Sequence, residues 1–146
     1  MAASRGETTV EVRDTPEGRR LVVSRVVDAP VDIVWDVLTD TERWPAWGPS
    51  ITDVECLDRY VQSGSRGRVR VLGAVWLPFE IMACEDRRWT WRVAHIRATG
   101  HFVSAHPAGS VVGFELPVAA VGYVPVCRRA CGRIDRLSRA LADSGD

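Results

Sequence analysis

Residues 28–49 read DAPVDIVWDVLTDTERWPAWGP, and the pattern in this stretch decides the fold of the chain. Its first half predicts an α-helix, because a proline suited to a first turn precedes apolar residues at helical spacing. Those residues are Ile33, Val34, Val37 and Leu38. We expect Asp28 or Asp32 to accept backbone hydrogen bonds at the helix start, and the helix to end near Asp40.

The second half of the stretch predicts a short helix over residues 41–44, followed by a stiff aromatic loop over residues 44–49. Pro45 is expected to break that helix, since its ring fixes φ and disfavours α geometry in the preceding residue. Together the two helices should form a V. We expect Trp35 and Trp44 to lie in the core.

On either side of the V, the chain has the alternating pattern of β-strands. Residues 8–13 and 20–27 flank a turn and can pair as a hairpin, which adds an N-terminal strand. Six more strands are predicted, and their short connections imply antiparallel neighbours: 51–57, 65–72, 75–85, 87–95, 98–106 and 110–118. Residues 119–142 have one apolar and one arginine-rich side, which predicts a final helix with Pro125 in its first turn or at a kink.

The length and composition restrict the class of protein. The 146 residues suit one domain, expected over residues 8–142, with a disordered segment 1–7 and a tail 143–146. The formal net charge is zero, which gives no electrostatic case for binding nucleic acid. All 19 basic residues are Arg, so lysine Schiff-base chemistry is excluded.

The chain has no apolar segment of the kind that a secretory signal or a membrane span requires, and we expect a cytoplasmic protein. The four cysteines are Cys56, Cys84, Cys127 and Cys131. They lack the CxxC spacing of a metal or redox site, so we expect them to be reduced and mostly buried. We expect no metal and no organic cofactor.

Four segments resemble the START/polyketide cyclase superfamily, also called the Bet v 1-like or SRPBCC superfamily. They are DAPVDIVWDVLTDTERWPAWGPSITDVE (28–55), GSRGRVRV (64–71), RRWTWRV (87–93) and PAGSVVGFEL (107–116). The resemblance implies an α+β helix-grip fold, in which a curved antiparallel sheet (β-α-α-β6-α) wraps a long C-terminal helix around a hydrophobic cavity. The superfamily includes polyketide cyclases, lipid carriers, co-chaperones and ring-hydroxylating oxygenases. This chain lacks the helical His pair of the oxygenases and the catalytic lysine of the norcoclaurine synthase branch.

In such a fold, inward strand positions become candidate ligand contacts. Trp89, Trp91, Val93 and His95 alternate onto one face of a strand, and His101 and Val103 share a face of the next. If these faces point inward, His95 and His101 are candidate catalytic residues, because a buried imidazole is neutral and can accept or donate a proton. The alternatives are that His95 lies near solvent at the strand end and that His101 is a core residue.

Two further residues are catalytic candidates. Glu80 lies within an apolar strand and can act as an acid if it faces the cavity; the alternative is an outward, solvated side chain. Tyr123 can supply a hydroxyl from the start of the last helix. The ligand-binding candidates are Trp47, Trp76, Trp89, Trp91, Val103, Phe114, Val124 and Arg128, among which Trp91 is best placed to stack on a flat ligand.

These observations favour a protein that binds a small hydrophobic molecule, aromatic or polyketide-like, and catalyses its cyclisation or dehydration without a cofactor. The alternative is a non-catalytic carrier or sensor of lipid or another hydrophobic metabolite. The arginine-rich side of the last helix adds a minor possibility of contact with anionic membrane. We expect a monomer or a homodimer.

Overall fold

The computed structural model of the chain describes residues 3–144. The strands are β1 (Thr8–Thr15), β2 (Gly18–Val27), β3 (Ile51–Cys56), β4 (Arg66–Val71), β5 (Val75–Glu85), β6 (Arg88–Val93), β7 (Ile96–His106) and β8 (Gly109–Pro117). The helices are α1 (Val31–Thr39), α2 (Trp44–Trp47) and α3 (Val124–Ser144), with 3₁₀ turns at Thr41–Arg43 and Val118–Tyr123.

All eight strands form one antiparallel sheet in the order β1-β2-β8-β7-β6-β5-β4-β3. The sheet curves, and α3 packs on its inner side against β2 and α1. The predicted helix-grip α+β fold is therefore confirmed, including the extra N-terminal strand. None of the helices in the described range is long and apolar enough to cross a membrane.

The ends of the chain differ from the expectation. Arg5 forms a bridge with Val26, and the backbone N–H of Gly6 donates to the Val26 carbonyl at 2.8 Å, so the described residues before β1 are bonded to the sheet. At the other end α3 continues to Ser144, so the expected tail begins two positions too early. Residues 1–2 and 145–146 of the expected disordered segment and tail lie outside the described residues.

The start of α1 is not capped by either aspartate that the sequence suggested. Its N-cap is Pro30, which offers no side-chain hydrogen bond. Asp32 instead accepts from Arg87 at 2.6 Å, and Asp28 lies 3.5 Å from Arg5. Both carboxylates are thus used in ion pairs rather than at the helix terminus.

Pro45 does not break a helix; it lies in the first turn of α2. A proline costs nothing at this position because the amide of a first turn has no intrahelical acceptor. The two tryptophans of α2 then reach back to α1. Trp44 Nε1 donates to the Leu38 carbonyl and Trp47 Nε1 donates to the Val37 carbonyl, both at 3.1 Å.

The turn between the two helices is fixed by a buried carboxylate. Asp40 accepts a hydrogen bond from the backbone N–H of Glu42 at 3.0 Å. It also accepts from Arg59 Nη2 at 3.0 Å, which ties this turn to the segment after β3. Helix ends leave both carbonyl and amide groups unpaired. In the V, the two indoles bond the free carbonyls and Asp40 bonds a free amide.

The hairpin between β6 and β7 turns earlier than expected. Val93 pairs with Ile96, so Ala94 and His95 form the loop, with φ of 51° and 66°. Positive φ at both central positions is the geometry of a type I′ turn. Neither residue is glycine or asparagine, so the usual sequence signal for this turn was missing.

The last helix begins later than expected because residues 118–123 form a 3₁₀ segment. Pro125 lies in the first turn of α3, as one of the two alternatives predicted. The predicted two-sided pattern is confirmed: Cys127, Cys131 and Ile134 are buried, whereas Arg128 is exposed.

The indole hydrogen bond of Trp44 can be tested by substitution. Trp44→Phe should lower the free energy of unfolding by about 2–4 kcal/mol, because it leaves a cavity and an unpaired Leu38 carbonyl. Trp76→Phe is the matched control: Trp76 is half-buried and stacks on Arg68 at the outer face, so this substitution should cost less than about 1 kcal/mol. If urea denaturation gives the same loss of unfolding free energy for both variants, the Trp44 bond does not hold the helices together.

Candidate functional site

A cavity of about 510 Å³ lies between the inner face of the sheet, the loop before β3 and the 3₁₀ segment before α3. Its walls are mostly apolar. The lining residues are Ser50, Ile51, Val69, Val71, Leu72, Leu77, Trp91, Val93, Arg97, Ala98, Thr99, Leu116, Pro117, Ala120 and Tyr123. Leu72 and Tyr123 are exposed, so the opening lies between the β4–β5 hairpin and the 3₁₀ segment.

A second, smaller space of about 40 Å³ lies deeper, towards α2 and α3. It shares Ser50, Ile51, Trp91, Thr99 and Tyr123 with the large cavity. Its other walls include Trp47, Trp89, His101, Phe114 and Cys127. Trp44 and Trp47 of α2 thus border the same space as the aromatic residues of the sheet.

His101 lies on the inner face of β7 and is buried. Its ring stacks on Trp89 at 3.7 Å between centroids and meets Phe114 edge-on at 5.1 Å. These contacts follow from register, because His101 pairs with Trp89 on one side and with Phe114 on the other. Burial lowers the pKa of His101 to about 3, so the ring is neutral at physiological pH.

Both ring nitrogens of His101 have partners. Nδ1 lies 3.3 Å from the Trp89 carbonyl oxygen, and Nε2 lies 2.9 Å from Thr99 Oγ1. Thr99 Oγ1 also accepts from Trp91 Nε1 at 3.1 Å. The result is a continuous hydrogen-bonded chain along the cavity wall, in which each polar atom is held by its neighbours.

The structure brings several of the predicted residues together. Trp91 borders both spaces, and Trp47, Trp89, Phe114 and His101 border the smaller one. Trp47 also contacts Phe114 edge-on at 5.8 Å. The indole N–H of Trp89 has no hydrogen-bond partner in the described range.

Other predicted residues lie outside the cavity walls. Val103 is buried in the core and Val124 packs against it, but neither borders the cavity. Arg128 is exposed on the outer side of α3. These three residues support or flank the site without lining it.

Three candidate residues do not face the cavity, and for His95 and Glu80 the structure matches the outward alternative. His95 is exposed in the β6–β7 turn, because the strand ends at Val93. Glu80 points away from the cavity and its Oε2 lies 3.3 Å from Arg66 Nη2, while its neighbours Phe79 and Ile81 are buried. Trp76 alternates with the cavity residue Leu77 and therefore stacks on Arg68 outside, at 4.3 Å from the ring centroid.

Tyr123 lies at the opening and borders both spaces. Its hydroxyl oxygen is 3.2 Å from Ser50 Oγ, so the two hydroxyls link the 3₁₀ segment to the loop before β3. The same end of the sheet carries exposed apolar side chains on three turns: Leu72, Val75, Ile96, Val118 and Val121. A hydrophobic molecule approaching the cavity would meet an apolar rim.

Thr99 and Ser50 are polar wall residues that the sequence reading missed. Thr99 lies two positions before His101 on the same strand, so strict alternation already placed it on the same face. Ser50 gave no comparable signal, because it lies in a loop whose position depends on the tertiary structure.

The cysteines offer no alternative chemistry in this site. All four are free, and burial raises the pKa of the Cys127 thiol, which borders the smaller space, to about 12. Residues 3–144 contain no group of three or more His, Cys, Asp or Glu side chains placed to hold a metal ion. The expectation of a cofactor-independent protein stays a prediction.

Sequence comparison gives the family. The profile of the family described as "Polyketide cyclase / dehydrase and lipid transport" matches residues 18–142. The chain belongs to this family. This confirms the superfamily resemblance, and the family suggests that the cavity takes a hydrophobic ligand. A search of curated protein sequences returned no match.

Solved structures agree on the fold. Protein MLL2253 from Mesorhizobium loti aligns with a TM-score of 0.67 and 19% identity over 88% of this chain and 99% of its own. Ms6760 from Mycobacterium smegmatis gives 0.61 and 16% over 92% and 99%. CalU16 from Micromonospora echinospora gives 0.53 and 21%, with 94% of each chain covered. At these identities the likeness shows the fold alone.

The buried, neutral state of His101 predicts a pH dependence of stability. Between about pH 6.5 and 3 the unfolded chain holds a proton on this ring that the folded chain lacks, so the free energy of unfolding should fall as the pH falls. The slope from this residue approaches about 1.4 kcal/mol per pH unit. His101→Phe should remove this contribution to the slope, as measured by urea denaturation at several pH values.

The control is His95→Asn, at an exposed turn position whose positive φ suits asparagine. This variant should keep the slope of the original protein. If His101→Phe leaves the slope unchanged as well, His101 is not the group responsible.

Proposed function

We propose that this protein binds a small hydrophobic molecule, aromatic or polyketide-like, in the cavity enclosed by its sheet, the loop before β3 and the 3₁₀ segment. The cavity itself carries the proposal: about 510 Å³ with predominantly apolar walls. That volume is in the range of about 300–1,000 Å³ that small-molecule sites occupy. The family to which the chain belongs supports the same class of ligand.

The aromatic content of the wall favours a flat ligand. Trp91 borders both spaces, and its indole is oriented by the bond to Thr99. Aromatic pairs in offset or edge-to-face geometry contribute about 0.5–1.5 kcal/mol beyond the burial of their area. An aromatic ring placed against Trp91 would gain this contribution without reordering the wall.

His101 serves in this proposal to hold the wall rather than to carry protons. A pKa of about 3 makes the ring a weak base at neutral pH, and both nitrogens already have partners within the protein. An efficient general base has a pKa near the working pH. The imidazole therefore contributes by fixing Thr99 and by stacking on Trp89.

Cyclisation or dehydration of the bound molecule is a second candidate, favoured by the family description and by the hydroxyl pair at the opening. The cavity would contribute mainly by folding a flexible substrate into a reactive geometry, which can remove a large part of a barrier. Tyr123 or Ser50 would supply a hydrogen bond to the reacting oxygen. The carrier alternative needs only the cavity and its apolar rim.

Filling the cavity tests the binding proposal. Ala98→Phe should weaken binding of the fluorescent probe anilinonaphthalene sulfonate by about fivefold or more, since overpacking a fitted space costs ~1–3 kcal/mol. Ala105→Phe is the control, because Ala105 is exposed on the same strand and does not border the cavity. Equal affinity in all three proteins would place the probe elsewhere and count against the cavity as the site.

Replacing Tyr123 separates the enzyme from the carrier. A cyclase should convert a bound polyketide substrate, seen by mass spectrometry as loss of water or by chromatography as a new isomer, and Tyr123→Phe should slow this conversion while binding persists. A carrier should release every bound molecule unchanged. Conversion at the original rate in the variant would exclude the Tyr123 hydroxyl from the reaction.

A further inference from the structure

The hydrogen-bonded chain in the cavity wall has only one consistent arrangement of protons. A carbonyl oxygen can only accept, so His101 Nδ1 must carry the hydrogen that it shares with the Trp89 carbonyl. The neutral ring has a single N–H, and Nε2 is therefore an acceptor. The Thr99 hydroxyl, at 2.9 Å, is the group that donates to it.

The other contact of Thr99 is fixed by the same logic. An indole N–H is a donor only, so Trp91 Nε1 donates to Thr99 Oγ1 across 3.1 Å. The hydroxyl has one hydrogen and two lone pairs. Its hydrogen is committed to His101 and one lone pair to Trp91, which leaves one lone pair and no hydrogen to offer.

Thr99 borders both the large cavity and the deeper space, so this lone pair belongs to a wall residue of the candidate site. In the deeper space the Trp89 indole N–H has no partner within residues 3–144, and the other polar side chains of the walls are paired or lie at the opening. Ser50 and Tyr123 contact each other at the opening, and Arg97 pairs with Glu17 at 2.8 Å. Thr99 is thus a polar residue that borders both spaces away from the opening and has a lone pair to offer.

We propose that Thr99 Oγ1 acts as a hydrogen-bond acceptor in the cavity wall and selects hydrophobic ligands that carry an O–H or N–H donor, such as a phenol, over similar molecules that offer only acceptors. The inference rests on the proposed function, because it names the ligand class of the same cavity. A ligand with an ether or ketone oxygen at this point would place its lone pair against the lone pair of Thr99 Oγ1. A site built around a fixed partner discriminates in this way because an unmatched buried polar group is costly.

The test compares three aromatic probes of similar shape: naphthol, its methyl ether methoxynaphthalene, and naphthalene. Binding is measured by quenching of tryptophan fluorescence in the full chain. The intact protein should bind naphthol about fivefold more tightly than naphthalene, the size of effect expected from one net hydrogen bond. Methoxynaphthalene should show no such advantage.

Substitutions at Thr99 assign the preference. Thr99→Val removes the acceptor at nearly constant shape and should bring the naphthol-to-naphthalene ratio to about one, whereas Thr99→Ser keeps the hydroxyl and should keep the ratio. Ratios within one variant cancel a general change in the cavity, so the comparison does not require equal stability. A naphthol preference that survives in Thr99→Val would overturn the proposal.

The role of His101 as the positioning residue has a separate readout. In His101→Phe the Thr99 hydroxyl loses its acceptor and is free to donate, so methoxynaphthalene should gain affinity relative to naphthalene. A merely structural histidine would leave this ratio unchanged. If the intact protein binds all three probes equally and Ala98→Phe weakens them all, the inference fails and the proposed function stands; if no probe binds, both fail.

Discussion

The structure depends on two indole hydrogen bonds. Trp44 and Trp47 donate to the carbonyls of Leu38 and Val37, groups that the end of α1 would otherwise leave unpaired in the core. These bonds set the angle between α1 and α2. They also fix both rings against the sheet, where Trp44 stacks on Trp89 at 5.3 Å. The same two bonds therefore fix both the angle between the helices and the position of the rings beside the cavity.

A series of contacts connects the Trp44–Trp89 stack to the candidate ligand site. Trp89 stacks on His101, and His101 holds Thr99, which in turn orients Trp91. Close-packed aromatic rings leave little freedom for any one of them to move alone. The wall that a ligand would meet is thus pre-organised, which reduces the cost of ordering it on binding.

Much of the fold could be predicted from the sequence, because helical spacing, strand alternation and short turns are local signals. The site could be predicted only in part. Alternation grouped Trp91 with Trp89, and His101 with Val103, on single strand faces, but it could not say whether those faces point inward. It also extended β6 to His95, because a type I′ turn without glycine or asparagine gives no sequence signal. The orientation of the Glu80 side chain was ambiguous for a different reason. It depends on how β5 pairs with its neighbours, which is a property of the tertiary structure. Similarly, Tyr123 and Ser50 approach each other only because the fold brings two distant loops together.

The most direct test of the account is native mass spectrometry of the freshly purified full chain. The cavity predicts that the protein carries one hydrophobic small molecule per chain, and the state of Thr99 predicts that this molecule bears a hydroxyl or N–H group. A mass equal to that of the bare chain, together with no thermal shift from a panel of aromatic, polyketide and lipid compounds, would contradict the assignment of this cavity as a ligand site.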